Sequence, residues 1–274
     1  MTGRRLLRVG CEFEYDVAFD TPTVWQVEPL GDGPATVIES SWTTTPQLPM
    51  RAYTDIYRNT CRRATLPPGL CTVRFDATVD VPDAPEPVDL FATEVAVADL
   101  PDDVLLYTMP SRYVLSDVLG DEAWRLFGQV PAGYGRVRAI CDFVNGHLRF
   151  AYGSSNPWTT STDVYAGGVG VCRDFTHLGI TFCRALNIPA RYVFGYLPDM
   201  DIPPLDDPMD FAAWMEVYLG GQWWTFDPRN NVTRKGRVVI GRGRDAGDVA
   251  MVTAYGGPVL KRMDVIADEI KATG

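Results

Sequence analysis

Histidine is nearly missing: His147 and His177 are the only two in 274 residues. A multi-histidine metal site is thereby close to excluded, and any histidine general base must be one of these two. Long apolar runs are missing as well. None approaches the roughly 20 residues that a membrane-spanning helix needs, and the basic stretch 1–10 lacks the apolar centre of a secretory signal. No C-x-x-C pair occurs among Cys11, Cys61, Cys71, Cys141, Cys172 and Cys183, which argues against a zinc site. Six cysteines permit three disulfides, but they are scattered through a large chain without a signal. They read as reduced, small core residues, and a cytoplasmic protein is expected. Basic residues are outnumbered, 25 against 35 acidic, for a formal charge of -10. A chain of that sign repels phosphate and is expected to bind neither nucleic acid nor membrane.

What is present can build a core. Hydrophobic residues make up 46% and charged residues 22% of the chain, a globular composition of one large domain or two small ones. Residues 5–80 read as β-rich, with strand composition at 6–13, 23–27, 35–40 and 71–81. Gly31-Asp32-Gly33 and Pro67-Pro68-Gly69 punctuate them, as in a small sandwich or barrel-like unit. The Pro-rich, acidic stretch 81–87 suggests a boundary near residue 90, dividing the chain into 1–90 and 91–274. The second part changes period. Segments 122–127 and 136–148 have helical spacing, with Val137, Ile140, Cys141, Val144 and Leu148 on one stripe. After the glycine-rich turn 166–170, residues 173–186 read as a further helix. Strand patterns follow at 191–197, 211–219, 223–226 and 237–240.

Cys172 stands where the glycine-rich turn enters this helix. Unpaired N–H groups and the helix dipole make a first turn electropositive. A thiolate there is expected to have a lowered pKa, and the Cys172 N–H is free to serve an oxyanion. On spacing alone a buried structural cysteine is the favoured reading, since most lone cysteines are packing residues. Cys183, eleven residues on, lies on the same face and reads as core.

A nucleophilic thiol needs a base and an orienting acid. Asp227, in Trp223-Trp224-Thr225-Phe226-Asp227-Pro228-Arg229, is the candidate acid. Gly220-Gly221 is a two-residue hairpin turn signal. Pairing Leu219 with Gln222 brings Trp214 opposite Asp227 and makes position 212 its diagonal neighbour, at a Cβ separation of roughly 7 Å or less. A histidine at 212 could bond Asp227 and face a thiol, but the residue is Ala212.

At these residues the sequence resembles the bacterial transglutaminase-like family of the papain-like cysteine acyl-transfer superfamily. The likeness runs over almost the whole chain. It begins with Phe13-Glu14-Tyr15-Asp16-Val17 and Thr23-Val24-Trp25-Gln26-Val27-Glu28-Pro29. It continues with Leu100-Pro101-Asp102-Asp103 and Pro110-Ser111-Arg112-Tyr113. The nucleophile motif is Gly170-Val171-Cys172-Arg173-Asp174-Phe175-Thr176-His177-Leu178, followed by Ile188-Pro189-Ala190-Arg191-Tyr192-Val193, Gly195-Tyr196 and, near the C-terminus, Gly243-Arg244-Asp245-Ala246. The resemblance implies an α+β fold, a β-rich N-terminal region (1–90) with a transglutaminase-like catalytic domain (91–274). It implies Cys172 as nucleophile and Asp227 as the acidic member of a triad. It also implies a histidine in an Asp-Phe-His-Ala-Trp segment, where this chain reads Asp210-Phe211-Ala212-Ala213-Trp214.

Two explanations of Ala212 stand open: removal of the triad histidine from an enzyme, or a binding module that kept the groove and lost turnover. The intact surroundings favour the first. The implied chemistry is acyl transfer through a Cys172 acyl-enzyme, to water or to an amine, on a peptide or small-molecule amide or ester, without metal or organic cofactor. An amide-forming role in small-molecule biosynthesis is a third option.

The two histidines do not fill the gap. His177 lies about 140° around the helix from Cys172 and reads as a structural support, and His147 as a helix-end or solvated residue. Trp158, Trp214, Arg112 and Tyr113 are candidate groove residues, each with a packing role as the alternative. Asp163 is a candidate cap, and Asp174 is explained by the helix dipole. The Pro- and Asp-rich run 199–210 reads as a solvated loop or a lid beside position 212.

Overall fold

The computed structural model describes residues 3–203 and 208–271. Mixed α+β architecture is what it shows. The first 82 residues form six strands: β1 (Arg4–Val17), β2 (Thr21–Trp25), β3 (Thr36–Thr45), β4 (Arg51–Thr54), β5 (Thr60–Leu66) and β6 (Gly69–Pro82). Alternation drives the longest pair. Leu7, Val9, Cys11 and Phe13 of β1 lie opposite Val79, Ala77, Phe75 and Val73 of β6. All eight are buried, so one face of this antiparallel pair enters the core. The strands β4 and β5 escaped the sequence reading, because Arg51, Arg62 and Arg63 interrupt the apolar pattern and the buried Cys61, Ala64 and Leu66 do not alternate strictly.

Helices and further strands follow: α1 (Asp102–Leu105), α2 (Gly120–Phe127), α3 (Tyr134–His147), β7 (Arg149–Phe150), α4 (Ser161–Gly167), β8 (Val169–Gly170) and α5 (Cys172–Ala185). Next come β9 (Ala190–Tyr196), β10 (Ala212–Leu219), β11 (Gln222–Phe226), β12 (Val238–Gly243), β13 (Val252–Ala254) and β14 (Val259–Glu269). The sheet orders are β14-β1-β6-β3, β13-β2-β5-β4 and β11-β10-β9-β12. Residues 252–269, counted above with the catalytic part, thus supply a strand to each N-terminal sheet. A single core cluster runs from β1 and β6 through α3 and α5 to β9 and β10.

Two local features set the site. Gly220 and Gly221 have φ of 59° and 89°, the double positive φ of a type I′ turn. The turn fixes Leu219 opposite Gln222 and Met215 opposite Phe226, the register expected from the glycine pair. On the other side of β10, α5 lies close. A Cβ on Gly179 would come within 2.9 Å of Pro228 and 3.1 Å of Met215 Sδ. The helix is therefore seated against the hairpin that carries positions 212 and 227. No helix among the described residues is long and apolar enough to cross a membrane.

Candidate active site

The start of α5 is built by its own side chains. Asp174 Oδ2 accepts the Val171 N–H at 2.8 Å, as the third residue of a capping box does. Gly170 makes room for this fold-back, since a Cβ there would stand 2.7 Å from Asp174 Cβ. The role of Asp174 is thus a hydrogen bond as well as a dipole contact. Asp163 caps α4, accepting the Thr160 N–H at 2.9 Å, and the turn glycine Gly168 adopts the left-handed conformation.

Cys172 comes out of this turn half-buried, its Sγ 3.9 Å from the Phe211 carbonyl oxygen. Cys172 and position 212 line the same two cavities. Cys172, Val171, Asp210, Phe211 and Ala212 form a ridge between two cavities. One, of about 150 Å³, is walled by Phe150, Tyr152, Arg229 and Asn230. The other, of about 380 Å³, is walled by Tyr113, Arg173, Tyr192 and Met251.

The expected fall in the thiol pKa does not occur. Burial pushes Cys172 up to about 11, and the Asp210 charge adds to it. The Arg229 charge and the N–H groups of Ala213 and Arg173 oppose this without overcoming it. A helix start is therefore too weak, without an imidazolium beside it, to offset desolvation of the thiolate.

Asp227 is buried, and its four acceptor positions are filled. Oδ1 accepts the N–H groups of Arg229 at 3.1 Å and Asn230 at 2.9 Å. Oδ2 accepts Asn230 Nδ2 at 2.7 Å and Arg237 Nη2 at 2.7 Å. Burial works to raise this carboxyl, but the Arg237 charge and the Asn230 bonds outweigh it and hold it below its ordinary value. Arg237 lies over the Trp214 ring, 4.7 Å from its centroid, and also binds Glu86. Of these partners Arg229 and Asn230 line the Cys172 cavity, and of the two only Asn230 holds the carboxylate with its side chain. It takes the place between the carboxylate and the cavity.

The remaining candidates separate. Tyr113 walls the second cavity. Arg112 is exposed, with its guanidinium 5.5 Å from the Tyr113 centroid. Trp158 is 70% exposed and Trp214 1% exposed, and neither lines the two cavities beside Cys172. Trp214 is a core residue, its ring seated over Gly195. Of the run 199–210, Asp199, Pro208, Met209 and Asp210 line the first cavity, and residues 204–207 lie outside the described residues. Asp210, Arg229 and Asn230 were missed as site residues. Their signal was adjacency: Asp210 lies two residues before Ala212, and Arg229 and Asn230 follow Asp227.

Both histidines are structural. His147 Nε2 donates to the Tyr165 carbonyl at 2.8 Å, so it ties α3 to α4. His177 is fully buried, stacked on Tyr113 at 5.2 Å. Its Nε2 accepts the Ala246 N–H at 3.1 Å. Burial, with the nearby charges of Arg173 and Arg184, holds His177 well below its ordinary pKa, so it is neutral at pH 7. Asp245, beside Ala246, accepts the Tyr113 N–H at 2.9 Å. The motif 243–246 thus braces the wall of the second cavity. His177→Phe leaves the Ala246 N–H without its acceptor and is expected to cost about 1–3 kcal/mol in urea unfolding. The rate of Cys172 alkylation by iodoacetamide should stay unchanged, and a large fall would instead make His177 the base.

All six cysteines are free thiols.

The transglutaminase-like superfamily matches residues 123–228, a span that holds Cys172, Ala212 and Asp227. A solved structure, from Cytophaga hutchinsonii and provisionally named a cysteine protease, is 30% identical. Its alignment covers 100% of this chain and 93% of that one, with a TM-score of 0.89. An uncharacterised protein of Mycobacterium leprae is 31% identical over 136 residues, 48% of each chain. Another, of Mycobacterium tuberculosis, is 32% identical over 172 residues, 58% of this chain and 49% of that one. The match thus spans about half the length of these curated relatives. The chain belongs to the transglutaminase-like superfamily, and its fold is of the cysteine protease and acyltransferase type.

Proposed function

We propose that this chain is a Cys172-dependent acyl-transfer enzyme, hydrolysing or transferring the acyl group of a peptide or small-molecule amide or ester, and impaired by alanine at the triad position 212. The observation that carries this reading is the ridge. The thiol stands between two cavities, so a chain crossing it presents a carbonyl to Sγ with one side in each. The N–H of Cys172, first in α5, is free for the developing oxyanion. Asp227, kept ionised by Arg237, is read as the acid of the triad, acting through Asn230, whose Nδ2 it holds. Whether water or an amine takes the acyl group depends on how well the loaded groove excludes water, so an amide-forming enzyme fits the same ridge. The unpaired thiols fit a reducing, cytoplasmic setting, and the net acidic charge fits a peptide or small-molecule partner rather than a nucleic acid or a membrane.

The test uses the full chain with p-nitrophenyl acetate and a panel of peptide and small carboxamides. Mass spectrometry should find a thioester on Cys172, and release of nitrophenol or ammonia should disappear in Cys172→Ala. A chain that forms no thioester on Cys172 with any of them is not this enzyme. A second reading, a binding module, draws on the high thiol pKa and Ala212. It predicts amide binding without a covalent adduct.

A further inference from the structure

With no imidazole at the ridge, some other group must move protons if Cys172 turns over. Four observations converge on one carboxylate. Asp210 lines both cavities together with Cys172. It lies next to Phe211, whose carbonyl oxygen is 3.9 Å from Sγ. Its Oδ1 accepts the Phe211 N–H at 2.7 Å, which fixes the side chain. Its Oδ2 has no partner among the described residues.

The surroundings suit the task. Arg229, with its guanidinium 4.1 Å from the Phe150 ring centroid, is the cation whose charge acts on both Cys172 and Asp210. Asp199 and Arg234 stand further along the same cavity, with Tyr152. On the other side the charged and titratable groups are Tyr113, Arg173 and Tyr192.

We infer that Asp210 is the proton-transfer group of this site, with Arg229 as its neighbouring cation. The inference rests on Cys172 being the nucleophile. As the S–C bond forms, the thiol proton passes to the Asp210 carboxylate. When the tetrahedral adduct collapses, the C–N or C–O bond breaks and the Asp210 carboxyl returns that proton to the leaving group. Water then attacks the thioester and gives a proton to Asp210. The C–S bond breaks, and the thiolate recovers its proton from Asp210. The sum is hydrolysis, with no other reactant. Burial raises the Asp210 carboxyl above its ordinary value, which makes it a better base than a solvated aspartate.

The test is p-nitrophenyl acetate turnover by the full chain and by Asp210→Asn, with the fold of each checked by its thermal melt. Steady-state hydrolysis should fall about 100-fold or more in Asp210→Asn, while the acetyl thioester on Cys172 accumulates. Iodoacetamide alkylation needs only the thiolate and should move the opposite way, reaching its midpoint at lower pH once the Asp210 charge is gone. Asp210→Glu should recover part of the turnover. The wild-type chain should show an acid limb above the ordinary aspartate range, absent in Asp210→Asn. Turnover within about twofold of wild type in Asp210→Asn overturns the role of Asp210. A wild-type chain with no thioester at all overturns the nucleophile instead, so the two failures are separable.

Discussion

Ala212→His is expected to raise Cys172-dependent acyl turnover by about 10²–10⁴-fold, the range that a positioned general base supplies. Position 212 lines both cavities beside the thiol. An imidazolium there opposes the burial that holds Cys172 at about 11, so the alkylation midpoint should fall well below that value. The orienting partner will not be Asp227 directly, because its acceptor positions are filled. Asn230 faces the cavity, with Nδ2 on Asp227 Oδ2 at 2.7 Å and Oδ1 without a partner among the described residues. That oxygen can accept the imidazole N–H, giving the Cys-His-Asn arrangement of papain-like proteases, with Asp227 holding the asparagine. Adding Asn230→Ala to Ala212→His should therefore remove a large part of the gain. Steady-state rates on p-nitrophenyl acetate, with Cys172→Ala as the blank, decide it. An Ala212→His chain that folds and shows no gain would count against the triad reading of this position.

Asp227→Ala is expected to cost about 3–5 kcal/mol of folding free energy, the usual loss when one partner of a buried ion pair is removed. Arg237 would keep Glu86 but lose the Asp227 bond, at a residue only 8% exposed. Asn230 and two backbone N–H groups would lose their acceptor as well. The effect depends on pH in a definite direction. A carboxyl held below its ordinary value stabilises the fold above its unfolded pKa, about 3.9, and loses that contribution as pH falls through the folded value. The stability difference between wild type and Asp227→Ala should be constant from pH 7 to 5 and shrink below about pH 4. Urea unfolding at several pH values measures it. A difference that persists unchanged in acid would mean that packing, not charge, anchors this corner of the sheet.

Much of the frame was legible along the chain. Alternation marked β1 and β6, the apolar stripe from Val137 to Leu148 marked α3, and Gly220-Gly221 fixed the β10–β11 register to the residue. These signals are local, because strand and helix periods are properties of neighbouring positions. The strands β4, β5, β13 and β14 were not legible. For β13 and β14 the partners β2 and β1 lie far away in the chain, and in β4, β5 and β14 charged side chains such as Arg51, Arg62 and Lys261 obscure the pattern. The site divided in the same way. Cys172 at a helix start and Asp227 after the hairpin could be read from spacing, while Trp214, opposite Asp227 in the hairpin register, proved to be core.

The sequence by itself placed Cys172 at a helix start, fixed the Gly220-Gly221 hairpin and put alanine at 212, all local features of a turn, a strand or a helix start. Only the tertiary structure decided the state of these groups. It set the thiol pKa, it filled Asp227 with Arg237 and Asn230, and it brought Asp210 and Arg229 to the ridge. The reason is that desolvation and Coulomb energies sum over whatever surrounds a group in space. For Asp227 those surroundings include Arg237, which is itself held by Glu86 151 positions away.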